Sequence, residues 1–453
     1  MSKNVDMLHG PLTKKIILFA LPIAAGSILQ QLFNSADLAV VSHFAGDGAL
    51  AAVGANTSII NLIVNLFTGV SVGANVLLAK AFGKGDHDKI KRGVHTAVFT
   101  AIVVGIFMSV VAISLGRNIH MSMSTPADVI DDAIVYFRIY FIGVPFIFVY
   151  NFCAAILRSR GDSKRPLICL AGAGILNVLL NLLFVIVFKM TVDGVALATA
   201  ISNICSCLAV ITMLVKDEGP LHLDFKALKI ELPILSEILK VGIPAGLQGM
   251  FISLSNIIIQ KNLNKLGTMF VSANTAQLNF DNLIVFMIMA FSSACVTFTS
   301  QNYGAGQIQR CKSVVKKTAI SAFIITASMA AVFYIFRVPL LKIFITDAAI
   351  LDIALIRMKM CDSIIYVSSI GDACAGGSRG LGYSSVPAVI AFVCIVVFRF
   401  IWMLFVYPSN PCYEMIVIVF PIAWSLTTIS NIVAYNVVVR KVERNAIVEY
   451  NDK

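Results

Sequence analysis

The first apolar segment of the chain carries a stripe of polar residues that ends in a carboxylate. The stripe consists of Gly26, Gln30, Asn34 and Asp37. Their spacing of i, i+4, i+8 and i+11 places them on one face of a helix. An ionised carboxylate within an apolar segment is costly, and by default it indicates an ion or proton pathway. The alternative is an Asp at a helix end that contacts water or pairs with a basic residue. Asp37 is therefore the first candidate for binding a proton or a cation.

Amide and hydroxyl side chains of two later apolar segments could complete a site around Asp37. Asn177 and Asn181 are four residues apart and share a helix face, and Thr199 lies in the next segment. Their oxygens could ligate a cation or a water molecule. Such side chains also often hydrogen-bond between packed helices, so both interpretations stay open.

The second half of the chain carries a comparable set of polar residues. Asn274, Gln277 and Asp281 share one face of the eighth apolar segment. Asp281 is the second candidate carboxylate, although it could equally pair with an intramembrane base such as Arg399. The predicted lining of a substrate cavity comprises Gln30, Asn34, Asn256, Asn274, Gln277 and Asp281.

Three further charged residues lie in the apolar segments of this half. Arg399 stands in the middle of VVFRFIWML, where it needs a carboxylate or a water-filled cavity, and we interpret it as a structural partner. Asp362 and Asp372 are surrounded by small residues, so water could reach them. The sequence leaves the roles of all three open.

The elements that position these residues occur twice along the chain. LPIAAGSILQQLFNSAD at 21–37 resembles IPAGLQGMFISLSN at 243–256, so Pro22 and Pro244 are related by 244 − 22 = 222 positions. The pattern R-x-x-G-x-x-x-x-P begins at Arg158 and again at Arg379, a shift of 379 − 158 = 221. Repeats of this kind are typical of secondary transporters, whose sites lie near the repeat interface.

The composition indicates that the chain lies in a membrane. It is 58% hydrophobic and 13% charged, with a mean hydropathy of +0.88, whereas soluble domains carry roughly 25% charged residues. Long apolar segments predict an all-α integral membrane protein of about twelve transmembrane helices, in two homologous six-helix bundles around a central cleft. One of the predicted segments covers 350–378. The predicted domains are an amino-terminal lobe at 1–215, a cytoplasmic linker at 216–235, a carboxy-terminal lobe at 236–439 and a cytoplasmic tail at 440–453.

The net charge of +11 does not indicate nucleic-acid binding, because the basic residues are distributed as in a membrane protein. Lys and Arg crowd alternate loops, which by the positive-inside rule predicts that both termini are cytoplasmic in a multi-pass protein of the inner (plasma) membrane. Lys261, Lys265, Arg337 and Lys342 are exceptions on the predicted outer side. We therefore expect membrane lipid, and no nucleic acid, among the partners.

No motif predicts an enzyme, a metal site or a bound cofactor. The ten cysteines show neither metal-ligand spacing nor a pairing pattern, and most lie in apolar segments. The glycine-containing stretch GKGDHDK at 83–89 lacks the spacing of a phosphate-binding loop. Without an ATP site, transport would be driven by an ion gradient of H⁺ or Na⁺.

Across nearly its whole length the chain resembles the multidrug and toxic compound extrusion (MATE) family. The motifs that carry the resemblance are LPIAAGSILQQLFNSAD, ALAAVGANTSI, ILRSRGDSKRP and VDGVALATAIS. It implies a two-lobed carrier that exports organic cations and other amphipathic molecules in exchange for protons or sodium. The family's cation-coupling positions correspond to Asp37, Asn177, Asn181 and Thr199. We therefore hypothesise that protonation of Asp37 lets the first helix bend around Pro22, which is the predicted hinge.

Two departures from the family pattern bear on the coupling ion. Relatives in the DNA-damage-inducible (DinF-like) branch, the nearer one, have a carboxylate where this chain has Asn181. The NorM-like branch has acidic residues in the seventh and tenth helices, at positions that fall near Ile252 and Ser368 here, so a cation site in the carboxy-terminal lobe would need Asp281 or Asp372 instead. We therefore expect coupling in the amino-terminal lobe, with protons favoured over sodium.

Other functions remain as alternatives. A flippase for lipid-linked saccharides would share the architecture, but it would need a strongly cationic cavity, and most Lys and Arg here lie in loops. An ion channel would need a selectivity-filter motif. The native substrate cannot be read from the sequence, and a monomer is expected.

Overall fold

The computed structural model describes residues 5–122 and 129–451. Residues 1–4, 123–128 and 452–453, which include the ends of the predicted amino-terminal lobe and cytoplasmic tail, lie outside the described residues. Helices make up most of this described part, and it contains no strand. The predicted all-α membrane fold is confirmed.

The first repeat consists of long helices. They are α1 (Leu12–Val40), α2 (Gly46–Lys84), α3 (His87–Ser122), α4 (Ile130–Ser159), α5 (Lys164–Leu182) and α6 (Val192–Val215). Two of them continue into π-helical segments, α1 into Val41–Ala45 and α5 into Leu183–Val187.

The second repeat has the same order but more interruptions. Its helices are α7 (Leu232–Leu266), α8 (Thr268–Gly304), α9 (Ile308–Ile335), α10 (Arg337–Leu341), α11 (Ala348–Asp362), α12 (Ser368–Gly380), α13 (Ser385–Ala391), α14 (Phe398–Ile401), α15 (Tyr413–Val417) and α16 (Val419–Asn451). The helices α13 and α14 belong to one continuous helical segment with π-helical turns at Phe392–Val397 and Trp402–Val406.

Eleven helical segments of the described chain are long and apolar enough to cross a membrane. The predicted tenth segment at 350–378 differs, because it is divided into α11 and α12 by a 3₁₀ turn at Ile365–Val367. The hydroxyls of Ser368 and Ser369 donate to carbonyl oxygens three residues back, at 2.6 and 2.7 Å. Such local hydrogen bonds compete with the regular helix and tighten the turn.

Internal contacts divide the described chain into two compact units. Unit 1 comprises Val5 and residues 25–242, and unit 2 comprises residues 6–24 and 243–451. Helix α1 passes from unit 2 to unit 1 just after Pro22, and α7 passes from unit 1 to unit 2 just before Pro244. Each change of unit therefore coincides with a proline, which removes a backbone hydrogen bond from the helix.

Each unit has its own packed core. In unit 1 the helices α2, α3 and α4 bury Leu78, Ile90 and Phe152, and in unit 2 Phe19 packs edge-on against Phe298 with 5.7 Å between ring centroids. Many large apolar side chains remain outside, for example Phe405, which is 74% exposed. Exposed apolar surface on this scale is suited to lipid rather than to water.

Glycines bring α2 and the first part of α7 into backbone contact within unit 1. A Cβ atom on Gly73 would lie 2.0 Å from the carbonyl oxygen of Ile238, and one on Gly242 would lie 2.6 Å from that of Val70. Both contacts are with backbone, which cannot move aside as a flexible side chain can. The crossing therefore requires small residues, as is common between membrane helices.

We expect Gly73→Ala to destabilise the protein by about 1–3 kcal/mol, because the added methyl group overpacks a fixed backbone contact. The measurement is thermal unfolding of the purified protein in detergent. Gly172→Ala is the matched control, since a Cβ at that position would meet no described atom within 4 Å beyond its chain neighbours and the backbone of its own helical turns. Equal melting temperatures for the two variants would contradict this account of the crossing.

Candidate cation and substrate sites

The predicted cation-coupling residues form a continuous hydrogen-bonded chain in unit 1. The Nδ2 of Asn181 donates to Oδ1 of Asp37 and also lies 3.5 Å from Oδ1 of Asn177. The Nδ2 of Asn177 donates to Oγ1 of Thr199 at 3.4 Å, and that hydroxyl donates to the carbonyl oxygen of Val195 at 3.0 Å. Residues from α1, α5 and α6 thus meet at one place.

The packing of α1 against α5 sets this meeting point. The ring of Phe33 lies over Gly174, where a Cβ would be only 1.7 Å from the ring. Phe33 and Asp37 are one turn apart on α1, so this contact directs Asp37 towards the Asn177–Asn181 face of α5. Both helices change to π-helical turns shortly afterwards, a feature often found at functional sites.

The groups left without partners at this site are oxygen acceptors. Asn181 is fully buried, and its Oδ1 has no hydrogen-bond partner in the structure. The only side chain that hydrogen-bonds Asp37 within the described ranges is Asn181, and no Lys, Arg or His of those ranges forms an ion pair with Asp37. A carboxylate beside a free amide oxygen can bind a proton or a cation.

Two tyrosines near Asp37 escaped the sequence analysis. Tyr136 and Tyr140 of α4 are stacked with 6.1 Å between ring centroids, and both lie within electrostatic range of Asp37. Their i, i+4 spacing, which places both rings on one helix face, was the sequence signal that could have identified them. They add two aromatic rings with hydroxyl groups to the surroundings of the carboxylate.

The remaining polar residues of the first-helix stripe are not part of the hydrogen-bonded chain. Gln30 and Asn34 are exposed in the structure. A polar side chain on a membrane helix avoids lipid where it can face a water-filled cavity. Their predicted place in a substrate cavity stays a prediction.

The polar residues of α8 in unit 2 surround a buried arginine. Arg357 of α11 is 1% exposed, and it donates from Nε to Gln277 at 2.6 Å and from Nη1 to Asn274 at 2.8 Å. Its Nη2 forms an ion pair with Oδ2 of Asp281 at 3.0 Å. The predicted cavity residues Asn274, Gln277 and Asp281 are therefore bonded to a protein cation in this structure.

Arg357 was missed in the sequence, and it corrects the expected pairing of Asp281. Asp281 does pair with an intramembrane base, but the base is Arg357 rather than Arg399. Arg399 instead donates from Nη1 to Ser255 at 3.2 Å and to Asn256 at 3.0 Å. Arg357 could have been identified from the sequence, because it lies in the apolar stretch ALIRMKMCD.

The second carboxylate of this region, Asp362, ends α11. Its Oδ1 accepts a hydrogen bond from Nε2 of Gln277 at 3.0 Å, and the same nitrogen donates to Asp281 at 2.8 Å. Its Oδ2 is buried without a partner. Asp372 lies further along, on α12, where its backbone carbonyl accepts from Ser292 at 2.8 Å.

Comparison with a family model matches the two repeats separately. The model described as MatE matches residues 22–183 and 244–404. The two matches begin at Pro22 and Pro244, the same pair of positions that the internal repeat relates.

Curated relatives cover most of the chain. The probable multidrug resistance protein YpnP of Bacillus subtilis is 30% identical over 68% of this chain and 69% of its own length. The probable multidrug resistance protein YoeA of the same organism is 27% identical over 75% of both. The multidrug export protein MepA of Staphylococcus aureus is 22% identical over 86% of this chain and 87% of its own.

Solved structures share the complete fold. A multidrug resistance MATE family transporter in an outward-facing conformation aligns with a TM-score of 0.91 at 21% identity, covering 98% of this chain and 99% of its own. A MATE protein in a bent conformation aligns with the same TM-score and identity over 99% and 100%. At this identity, the likeness extends to the fold alone.

Proposed function

The chain belongs to the MatE family of membrane transporters, and we propose that it is a cation-coupled antiporter that exports organic cations and amphipathic drugs by alternating access. We place it in the inner (plasma) membrane with both termini cytoplasmic. The names of its relatives as multidrug resistance and export proteins support this substrate class. The observation that carries the proposal is the hydrogen-bonded chain from Asp37 to Thr199, with its free acceptor oxygen.

The coupling ion is a proton, with sodium as the second candidate. The site holds one carboxylate, and its other oxygens belong to Asn177, Asn181 and Thr199. A proton needs a single oxygen, and binding it removes the charge of Asp37 from an apolar surrounding. Sodium needs several oxygens at once and keeps its charge in the site, so a lone carboxylate serves it less well.

Protonation would act on α1. A neutral Asp37 accepts a weaker hydrogen bond from Asn181 than a charged one does, so the contact between α1 and α5 loosens. Pro22, at the point where α1 changes unit, supplies the hinge at which the helix bends. Bending would reshape the drug cavity lined by Gln30 and Asn34 and release the cargo.

The coupling ion is tested in sealed vesicles that contain the purified protein and a fluorescent organic cation. We expect a proton gradient alone to drive uphill transport in the native protein, and a sodium gradient alone to drive little. Asn181→Asp adds a second carboxylate at the free amide oxygen, and we expect it to shift the driving ion towards sodium. Vesicles without protein provide the baseline. Transport of the native protein by sodium alone would overturn the assignment of the ion.

A further inference from the structure

An open cavity lies at one end of unit 1, where α5 begins and α6 ends. Its volume is about 610 Å³, which is within the ~300–1,000 Å³ of sites for small molecules. This end of unit 1 is the predicted cytoplasmic one. The lining includes Arg165 of α5, Thr212 and Met213 of α6, and the turn residues Lys216, Asp217 and Glu218.

The charges that line the cavity are of both signs. Arg165 forms an ion pair through its Nε with Asp162 at 3.0 Å, and Asp217 is also ion-paired. Lys216 and Glu218 are exposed and form no ion pair with a described residue. The cavity therefore presents one unpaired cation and one unpaired anion, two positions apart along the chain.

The turn that carries these two unpaired charges is held in place by the protein. Asp217 accepts a hydrogen bond from the backbone nitrogen of Gly219 at 2.9 Å and pairs with Arg160 at 2.6 Å. Leu221 and Leu223, which follow, are buried in the core of unit 1. The backbone at the cavity is thus fixed before any ligand arrives, which lowers the cost of binding.

Exposed apolar stripes lead away from the cavity on both helices. On α5, Ile168 and Ile175 follow Arg165 at i+3 and i+10, and Ile168 is 64% exposed. On α6, Leu208 lies two turns before Lys216 and is 55% exposed. Exposed apolar side chains on membrane helices contact acyl chains. A charged cavity continued by apolar stripes therefore matches a phospholipid, with its headgroup at the cavity.

The charges select among headgroups. A phosphate would accept a charge-assisted hydrogen bond from the ammonium of Lys216, and a primary amine would donate one to Glu218. The hydroxyl of Thr212 already donates to the carbonyl oxygen of Leu208 at 2.7 Å, so it can add only an acceptor. A purely anionic headgroup would leave Glu218 facing negative charge, and a choline group has no N–H to donate.

We propose that this cavity binds the headgroup of a zwitterionic phospholipid with a primary amine, phosphatidylethanolamine, whose acyl chains lie along the two stripes. The cavity shares no lining residue with the hydrogen-bonded chain from Asp37 to Thr199. The inference does not depend on the proposed export function.

The test measures lipid binding rather than transport. The purified protein in detergent is titrated with phosphatidylethanolamine, phosphatidylglycerol or phosphatidylcholine of identical acyl chains, and native mass spectrometry gives the fraction that carries a lipid. We expect the first phosphatidylethanolamine to bind about ten-fold more tightly than either other lipid, the scale of one charge-assisted hydrogen bond. The soluble headgroup glycerophosphoethanolamine should bind at least about ten-fold more weakly than the lipid, because it buries no acyl chain.

Two variants separate the two charges. In Glu218→Gln the amine loses its charged acceptor, so phosphatidylethanolamine should lose its preference over phosphatidylcholine. In Lys216→Gln the phosphate loses its donor, so the affinity for all three lipids should fall about five-fold or more. Both residues are exposed, so both variants should keep the melting temperature of the native protein. As controls, Lys359→Gln and Glu414→Gln remove the same charges from exposed positions of unit 2 and should bind lipid as the native protein does.

Each outcome decides the inference. A ten-fold preference for phosphatidylethanolamine that is lost in Glu218→Gln supports it. Equal binding of the three lipids, or a preference that survives in Glu218→Gln, would mean that lipid only surrounds the protein and would overturn it. Tighter binding of phosphatidylglycerol would assign an anionic ligand, and equally tight binding of the soluble headgroup would assign a water-soluble one. Either result would overturn it as well.

Discussion

Replacing Asp37 with Asn is expected to abolish proton-driven export while leaving the fold intact. The amide has nearly the shape of the carboxylate but can neither bind nor release a proton. The only hydrogen-bonded side-chain partner of Asp37 within the described residues, Asn181, can still meet an amide oxygen at this position. Uphill transport of a fluorescent organic cation should fall at least about ten-fold, the change that 1.4 kcal/mol of lost coupling produces.

The control for this prediction is the same substitution at an exposed site. Asp352 on α11 is exposed, so Asp352→Asn should leave gradient-driven transport unchanged. Downhill exchange of dye in Asp37→Asn vesicles provides evidence that the variant is folded. Native rates of uphill transport in Asp37→Asn would refute coupling at this residue and direct attention to Asp362 and Asp372 in unit 2.

The second large effect is on stability, at Arg357. Arg357→Gln leaves Asp281 charged, buried and without its cation, and it removes the donors that hold Gln277 and Asn274. Breaking one side of a buried ion pair costs about 3–5 kcal/mol of unfolding free energy. Thermal unfolding in detergent should therefore show a clear fall in the melting temperature.

A double variant and a neighbouring control make this test specific. Asp281→Asn combined with Arg357→Gln removes both charges, so it should be more stable than Arg357→Gln alone. Lys359→Gln, two residues away and exposed, should change stability little. A loss in Lys359→Gln as large as in Arg357→Gln would contradict a role for the buried network.

The contacts of Asp37 and Asp281 respond differently to removal of a charge, because the partner is neutral in one and charged in the other. Asp37 has a neutral partner, so Asp37→Asn leaves no unpaired ion behind. Asp281 has a cationic partner, so the loss of Arg357 leaves an ion behind. Charge that can be neutralised by a proton is available for coupling, whereas charge already neutralised by an arginine contributes to structure.

The sequence by itself determined the membrane fold, the repeat and the candidate carboxylate. These depend on hydropathy, residue spacing and repeated motifs, which are visible in the order of residues without knowledge of how the helices pack. The grouping of Asn177 with Asn181 followed from helical periodicity alone. The break at Ile365–Val367 did not follow from periodicity, because the serines that accompany it lie in a stretch whose hydropathy predicts one continuous helix.

Only the tertiary structure decided which side chains from different helices meet. The rotation of each helix about its axis is set by packing, such as Phe33 against Gly174, and by π-helical turns that hydropathy does not reveal. The sequence therefore identified Asp281 and Arg399 as intramembrane charges, and it left Asp281 open between a transport role and pairing with a base such as Arg399. In the folded chain Arg357 pairs with Asp281, and Arg399 is left with neutral partners, because periodicity specifies a face of a helix and not the neighbour that the face contacts.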